Sequence, residues 1–227
     1  MKKTLRSAFL DTVPVLTGYL VLGFGFGIVL KASGYSILLA LAMSALIYAG
    51  SMQYVAIGLF ASGASLVTVA LTTLMVNARH LFYGVSMLGK YKGVGKRKPY
   101  LIFALTDETY SLVCRDKLPV DAGREKSYYL LVSLFNHFYW IAGSVLGAVI
   151  GSLVKFNTEG IDFALTALFV TVFVEQWLTA KRTLPAVIGV AVSALCLWLF
   201  GSESFLIPAM IAITIMLCMY QGVKEHD

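Results

Sequence analysis

Charge is what this sequence has least of. Only 13% of its 227 residues are Asp, Glu, Lys or Arg, against 59% hydrophobic, and its mean hydropathy is +0.81. A soluble globule draws about a quarter of its residues from the charged four and covers its surface with them, while a disordered chain has far fewer apolar residues than this one. Both classes are excluded. Cysteine is scarce too: Cys114, Cys196 and Cys218 stand far apart in apolar or loop context, without zinc, redox or disulfide spacing. There is no nucleophile motif, HExxH pair, glycine-rich phosphate loop or metal-ligand cluster. No enzyme, catalytic residue, metal or cofactor is therefore expected.

What is there is one apolar run after another, over 9–30, 36–60, 66–88, 100–113, 128–154, 163–178, 185–200 and 205–220. A spanning helix needs about 20 apolar residues, so the chain reads as an all-α polytopic protein of the lipid bilayer, one transmembrane domain over 1–227. The net charge of +6 is not a nucleic-acid signal, because Lys and Arg gather at the ends and in the loops 90–98 and 114–127, as topology signals do. Lys2, Lys3 and Arg6 before the first run superficially resemble a signal peptide. Asp11 and Pro14 interrupt that run, it is long, and no small-residue cleavage site follows, so it reads as a retained first helix.

An internal repeat is visible. Val21-Leu22-Gly23, Gly27 and Lys31 recur as Val145-Leu146-Gly147, Gly151 and Lys155 at an offset of 124, and Ala40-Leu41 recurs as Ala164-Leu165 at the same offset. Gln53-Tyr54 matches Gln176-Trp177 at 123. Two repeats, about 9–113 and 128–221, are expected, and repeats of this kind often place a transporter's substrate site at their interface. If 36–60 spans, the loop charges divide 10 inside to 7 outside with the N-terminus inside. If 36–60 and 161–178 are instead re-entrant, broken near Gly50-Ser51 and near Glu175, the division is 12 to 5. The second arrangement satisfies the positive-inside rule better; it predicts inverted halves of three crossings each and both termini cytoplasmic.

Polar groups within the runs carry the chemistry, because charge at the bilayer centre is expensive unless it faces protein or water. On a helix over 72–88, Ser86, Arg79, Thr72, Tyr83, His80, Gly84 and Asn77 share one arc opposite Leu71, Leu74, Leu81, Phe82 and Val85. Arg79 is either a snorkelling side chain or a cationic clamp for a carboxylate; His80 is structural or a proton carrier. Thr106-Asp107-Glu108-Thr109 places two adjacent carboxylates in mid-run, where one is neutral or is paired with Arg79 or a substrate ammonium, unless both reach water. Tyr48-Ala49-Gly50-Ser51-Met52-Gln53 permits a helix break whose new N-terminus attracts a carboxylate. On 128–154, Ser133, Asn136, His137, Trp140, Gly143, Ser144, Gly147 and Gly151 share an arc, whose glycines suit close helix packing. Asn136 either bridges helices or contacts substrate.

Asp11-x-x-Pro14 before a glycine-rich helix, Tyr48-Ala49-Gly50-Ser51-Met52-Gln53, Asn77-x-Arg79-His80-x-x-Tyr83-Gly84 and Thr106-Asp107-Glu108-Thr109, in this order and spacing, resemble the AzlC family of bacterial branched-chain amino acid permeases over nearly the whole chain. The resemblance implies an inner-membrane exporter of branched-chain amino acids that works with a small, separate AzlD-type membrane subunit. On that reading the substrate-binding residues are Gly50, Ser51, Gln53, Asn77, Arg79, Tyr83, Asn136 and Gln176, while His80, Asp107 and Glu108 bind the ammonium or carry a coupling proton. The residues alone leave open an exporter of another small metabolite and a non-transporting scaffold subunit of a membrane complex.

Overall fold

The computed structural model describes residues 2–153, 170, 173–174, 177–178 and 183–224. The chain forms two compact units, Met1–Ile161 and Asp162–Asp227, and among the described residues every regular element is a helix. Two long apolar helices frame the first unit, α1 (Lys2–Ala32) and α8 (Glu125–Leu153), each long and apolar enough to cross a membrane. Their contacts climb together along both chains: Thr12 meets Tyr139, Tyr19 meets Trp140, Gly23 meets Ser144 and Gly27 meets Ala148. The two helices are parallel.

Glycine makes the contact possible. A Cβ at Gly147 would overlap the Phe24 carbonyl, one at Gly27 would overlap the Ser144 carbonyl, and one at Gly143 would stand 2.8 Å from the Tyr19 carbonyl oxygen. Without those atoms the backbones approach closely and gain packing that lipid cannot supply. The arc from Ser133 to Gly151 is thus the α1 seam. The matched motifs around Gly23 and Gly147 pack at one level on parallel helices. Helix α8 belongs to the first compact unit.

The run 36–60 breaks as expected. Helix α2 (Ile37–Leu46) starts on the Ser36 side-chain cap, and α3 (Gly50–Ala61) begins after a gap in which Tyr48 takes φ 47°. Tyr35 and Phe60 touch with ring centroids 5.7 Å apart, so the two ends of the run return to one level, at the end of the unit where α1 finishes. This is a re-entrant hairpin. Its expected counterpart, over 161–178 and broken near Glu175, falls outside the described residues.

Two other runs depart from expectation. The run 66–88 is divided at Asn77 into α4 (Leu66–Val76) and α5 (Ala78–Met87), so the polar arc is not continuous. On α5 it survives: Leu81, Phe82 and Val85 are 63%, 71% and 68% exposed, opposite half-buried Arg79, His80, Tyr83 and Gly84, while Ser86 is exposed. The run 100–113 is not a crossing. It divides into α6 (Lys98–Phe103) and α7 (Asp107–Val113), because Thr106 caps a new helix: its Oγ1 accepts the Thr109 N–H at 3.3 Å. Both ends of this second hairpin lie where α1 begins. Lys90 Nζ donates to the Cys114 and Arg115 carbonyls at 2.6 and 2.9 Å, Lys126 Nζ donates to that of Gly93 at 2.9 Å, and Ala8, Tyr91, Val94, Val113 and Tyr128 share one apolar cluster. The basic loops 90–98 and 114–127 therefore sit at the same end as Lys2, Lys3 and Arg6. In the second unit, α9 (Leu184–Ser204), bent at Gly201, and α10 (Leu206–Lys224) pack through Val192, Cys196 and Ala209.

Two measurements check this layout. In a cysteine-free background, single cysteines at Lys96 and Asp121 are expected to react with an impermeant maleimide from one membrane face and those at Ser36 and Ser62 from the other; labelling of Lys96 and Asp121 from opposite faces would contradict the second hairpin. Gly147→Val is expected to lower the thermal midpoint of the detergent-solubilised protein, because overpacking of a close contact costs about 1–3 kcal/mol or more.

Candidate functional site

An interrupted helix leaves backbone N–H groups unpaired at the start of its second half, and within a membrane such ends are tolerated where they face protein or a cavity. In the first unit three interrupted runs bring together the first turns of their second halves. Ser51 is the second residue of α3, Arg79 the second of α5 and Asp107 the first of α7. Arg79 joins them: its Nη1 donates to Asp107 Oδ2 at 2.5 Å and its Nη2 to Ser51 Oγ at 3.1 Å. The ion pair is about two-thirds buried, with side-chain exposures of 35% and 33%. Asp107 also stands at a helix N-terminus, where the macrodipole favours an anion. Arg79 Nε and Asp107 Oδ1 are buried with no hydrogen-bond partner. The pair thus keeps one donor and one acceptor unspent.

The adjacent carboxylates separate. Asp107 takes Arg79, whereas Glu108 Oε2 accepts the Tyr19 hydroxyl of α1 at 2.6 Å. His80 Nδ1 lies 3.3 Å from the Asn77 carbonyl oxygen, and its ring meets Tyr83 edge-on. Tyr83 stacks on Tyr110 of α7 at 4.6 Å, so the partly exposed wall beside the ion pair is aromatic. Asn77 acts here through its backbone, as the residue that divides α4 from α5.

Three of the expected substrate ligands make contacts within the protein, and of these Asn136 keeps its Oδ1 buried with no hydrogen-bond partner among the described residues. Gln53 is 0% exposed; its Nε2 donates to Ser44 Oγ at 3.3 Å and its Oε1 accepts Trp140 Nε1–H at 2.8 Å. It ties both arms of the first hairpin to α8. Asn136 Nδ2 donates to Thr109 Oγ1 at 3.0 Å and so ties α7 to α8. Gly50 packs against the Trp140 ring, which a Cβ would approach to 2.9 Å. Gln176 lies outside the described residues.

Sequence reasoning missed the residues that hold the breaks. Tyr48 N–H bonds the Met43 carbonyl, which leaves that of Ser44 outside the helical ladder. His137 on α8 serves it: Nε2–H donates to the Ser44 oxygen at 3.2 Å, Nδ1 accepts the Tyr100 hydroxyl at 3.2 Å, and the ring stacks on Tyr48 at 4.3 Å. This tautomer satisfies both contacts. Tyr19 has no signal in the sequence. Tyr48 and Thr106 opened recognised motifs, but with no role assigned to them.

The sequence profile of the AzlC protein family matches residues 14–154. A Bacillus subtilis protein named branched-chain amino acid transport protein AzlC is 46% identical over 209 residues, covering 92% of this chain and 82% of that relative. The chain belongs to the AzlC family. Other AzlC relatives include an uncharacterized membrane protein of Helicobacter pylori, 41% identical over 98% of this chain and 97% of its own length. The Escherichia coli inner membrane protein YgaZ is 29% identical over 71% of this chain and 68% of its own length. No solved structure matches the chain. The matched residues 14–154 contain all three elements of the ion-pair site, so this AzlC chain carries the site within the part that defines its family.

Replacing Gln53 by Leu is expected to lower the unfolding midpoint without touching the ion pair. A buried donor on Trp140 then loses its acceptor, at a cost of about 1–3 kcal/mol. Thermal unfolding in detergent, followed by tryptophan fluorescence, reads the change.

Proposed function

We propose that the chain exports branched-chain amino acids such as leucine, isoleucine and valine across the bacterial inner membrane. The observation that carries this reading is the Arg79–Asp107 pair with its unspent Nε and Oδ1, set where three half-helices begin. A zwitterion carries the same two charges in the same proximity. Its carboxylate takes the place of Asp107 on the Arg79 guanidinium, which binds carboxylates in a fork, and Ser51 Oγ supplies a further donor. Its ammonium takes the place of Arg79 on Asp107. Charge is neutral before and after the exchange, which keeps the desolvation cost low. Tyr83 and Tyr110 offer an apolar wall for a branched side chain.

A zwitterion has no net charge, so membrane potential alone does not drive it. One coupled proton crossing about 100 mV supplies about 2.3 kcal/mol, roughly a 50-fold gradient; Asp107, Glu108 and His80 are the titratable groups at the site. Three basic segments at one end of the first unit support a cytoplasmic N-terminus with the loops 90–98 and 114–127 beside it. The name of the Bacillus subtilis relative supports the substrate class, and the family resemblance supports a small AzlD-type membrane subunit as partner.

Arg79→Ala and Asp107→Asn are each expected to cut efflux of labelled valine at least tenfold, because removing one member of a buried pair strands the other at about 3 kcal/mol or more. The assay compares cells with matched amounts of inserted protein, with and without a co-expressed AzlD-type subunit. Undiminished efflux from either variant would remove the ion pair from the binding site.

A further inference from the structure

Binding a zwitterion uses Arg79, Asp107 and Ser51 and leaves a second polar group beside them unexplained. Glu108 follows Asp107 in α7, yet its Oε2 takes the Tyr19 hydroxyl at 2.6 Å. That hydroxyl is 2.7 Å from Thr106 Oγ1, which lies 3.1 Å from Thr109 Oγ1. Tyr48, at the tip of the first hairpin, completes the group. It is 3% exposed, its hydroxyl is buried with no hydrogen-bond partner, and it faces Tyr19, Thr106 and Glu108. The tip of one hairpin thus meets the tip of the other, with Tyr19 of α1 between them.

We propose that Glu108, held by the Tyr19 hydroxyl with those of Thr106 and Tyr48 beside it, is the site that binds the coupling proton. This rests on the transport reading above and assigns within it a role that the ion pair cannot perform. A hydroxyl both donates and accepts, so the group is satisfied in two states. With Glu108 ionised, Tyr19 O–H donates to its carboxylate and Thr106 O–H donates to Thr109 Oγ1. With Glu108 protonated, its own O–H donates to the Tyr19 oxygen, and Tyr19 O–H turns to the oxygen of Tyr48 or Thr106. Neither state strands the carboxyl group, and stranding is what makes buried titration costly. The step moves one proton from water on one side to Glu108 and on to water on the other side; no covalent bond other than O–H forms or breaks.

The surrounding groups leave this role to Glu108. The titratable and charged groups around it are His80 and Tyr83 of α5, Tyr19 of α1 and Tyr48 of the first hairpin, with its neighbour Asp107 and that residue's partner Arg79 beside it. Arg79 and Asp107 are spent on each other as an ion pair, and a guanidinium never gives up its charge in a protein. The Nδ1 of His80 has the Asn77 carbonyl for company and no hydroxyl network.

The test uses the full chain in proteoliposomes, with its small subunit if transport requires one. A pH gradient is expected to drive accumulation of labelled valine at least tenfold in the wild type, inside the roughly 50-fold that one proton allows. Glu108→Gln is expected to lose that accumulation at least tenfold at matched amounts of reconstituted protein. Infrared difference spectra provide a readout that needs no substrate: the C=O band of a protonated carboxyl group is expected to titrate in the wild type and in Asp107→Asn, to vanish in Glu108→Gln, and to shift its midpoint in Tyr19→Phe. Proton-driven accumulation by Glu108→Gln, a carboxyl band that survives in it, or accumulation that follows sodium in place of pH would each overturn the proposal. A wild type that moves no labelled valine would overturn the transport reading alone, and the infrared titration would still decide Glu108.

Discussion

The close, parallel contact between α1 and α8 is the constraint on which the rest depends. In lipid, apolar surface has no reason to prefer protein to acyl chains, so two helices stay together by backbone approach and by hydrogen bonds. Gly27, Gly143 and Gly147 supply the first. The hydroxyls of Thr12 and Tyr139 supply the second, while Asn136, His137 and Trp140 on α8, with Tyr19 and the Leu22 carbonyl on α1, bond to the hairpins. Both hairpins hang on this pair. Gln53 and Tyr54 fasten α3, Ser44 fastens α2, and Thr109 and Glu108 fasten α7.

Given that frame, a membrane protein can keep broken helices at mid-depth. Each break frees carbonyls on one side and N–H groups on the other, and these need partners that lipid cannot provide. His137 takes a carbonyl freed at the first break, and Thr106 caps the helix that follows the second. Arg79 then reaches across from α5 to the first turns of α3 and α7. Helix α4 buries no residue and α5 only Met87, so the arm that carries Arg79 is held at its middle by the bonds of Arg79 to Asp107 and Ser51 and by the contacts of Tyr83 and Ser86 with Tyr110.

Much of the candidate site was legible because polar residues in apolar runs stand out one at a time. Arg79, Asp107, Glu108 and Ser51 were found that way, and the pairing of Arg79 with Asp107 was among the readings left open. The roles of Gln53 and Asn136 were not legible, since an amide that binds substrate and one that bridges helices look alike until the partner across the gap is known. Tyr19 and His137 escaped for the same reason: a hydroxyl or an imidazole on a glycine-rich face carries no local mark of what it caps.

Composition and hydropathy act within one residue or a short window, so the sequence by itself determined a helical bilayer protein, its basic loops, its glycine-lined faces and the break beside Gly50. The direction of α8 relative to α1, the return of 100–113 to the side it left, and the choice of Arg79 by Asp107 and of Tyr19 by Glu108 were decided only by the tertiary structure. Each depends on contacts between residues far apart in the chain, where a missing Cβ at Gly27 or Gly147, or one lysine reaching from Lys90 to Cys114, selects among arrangements that local pattern leaves equal.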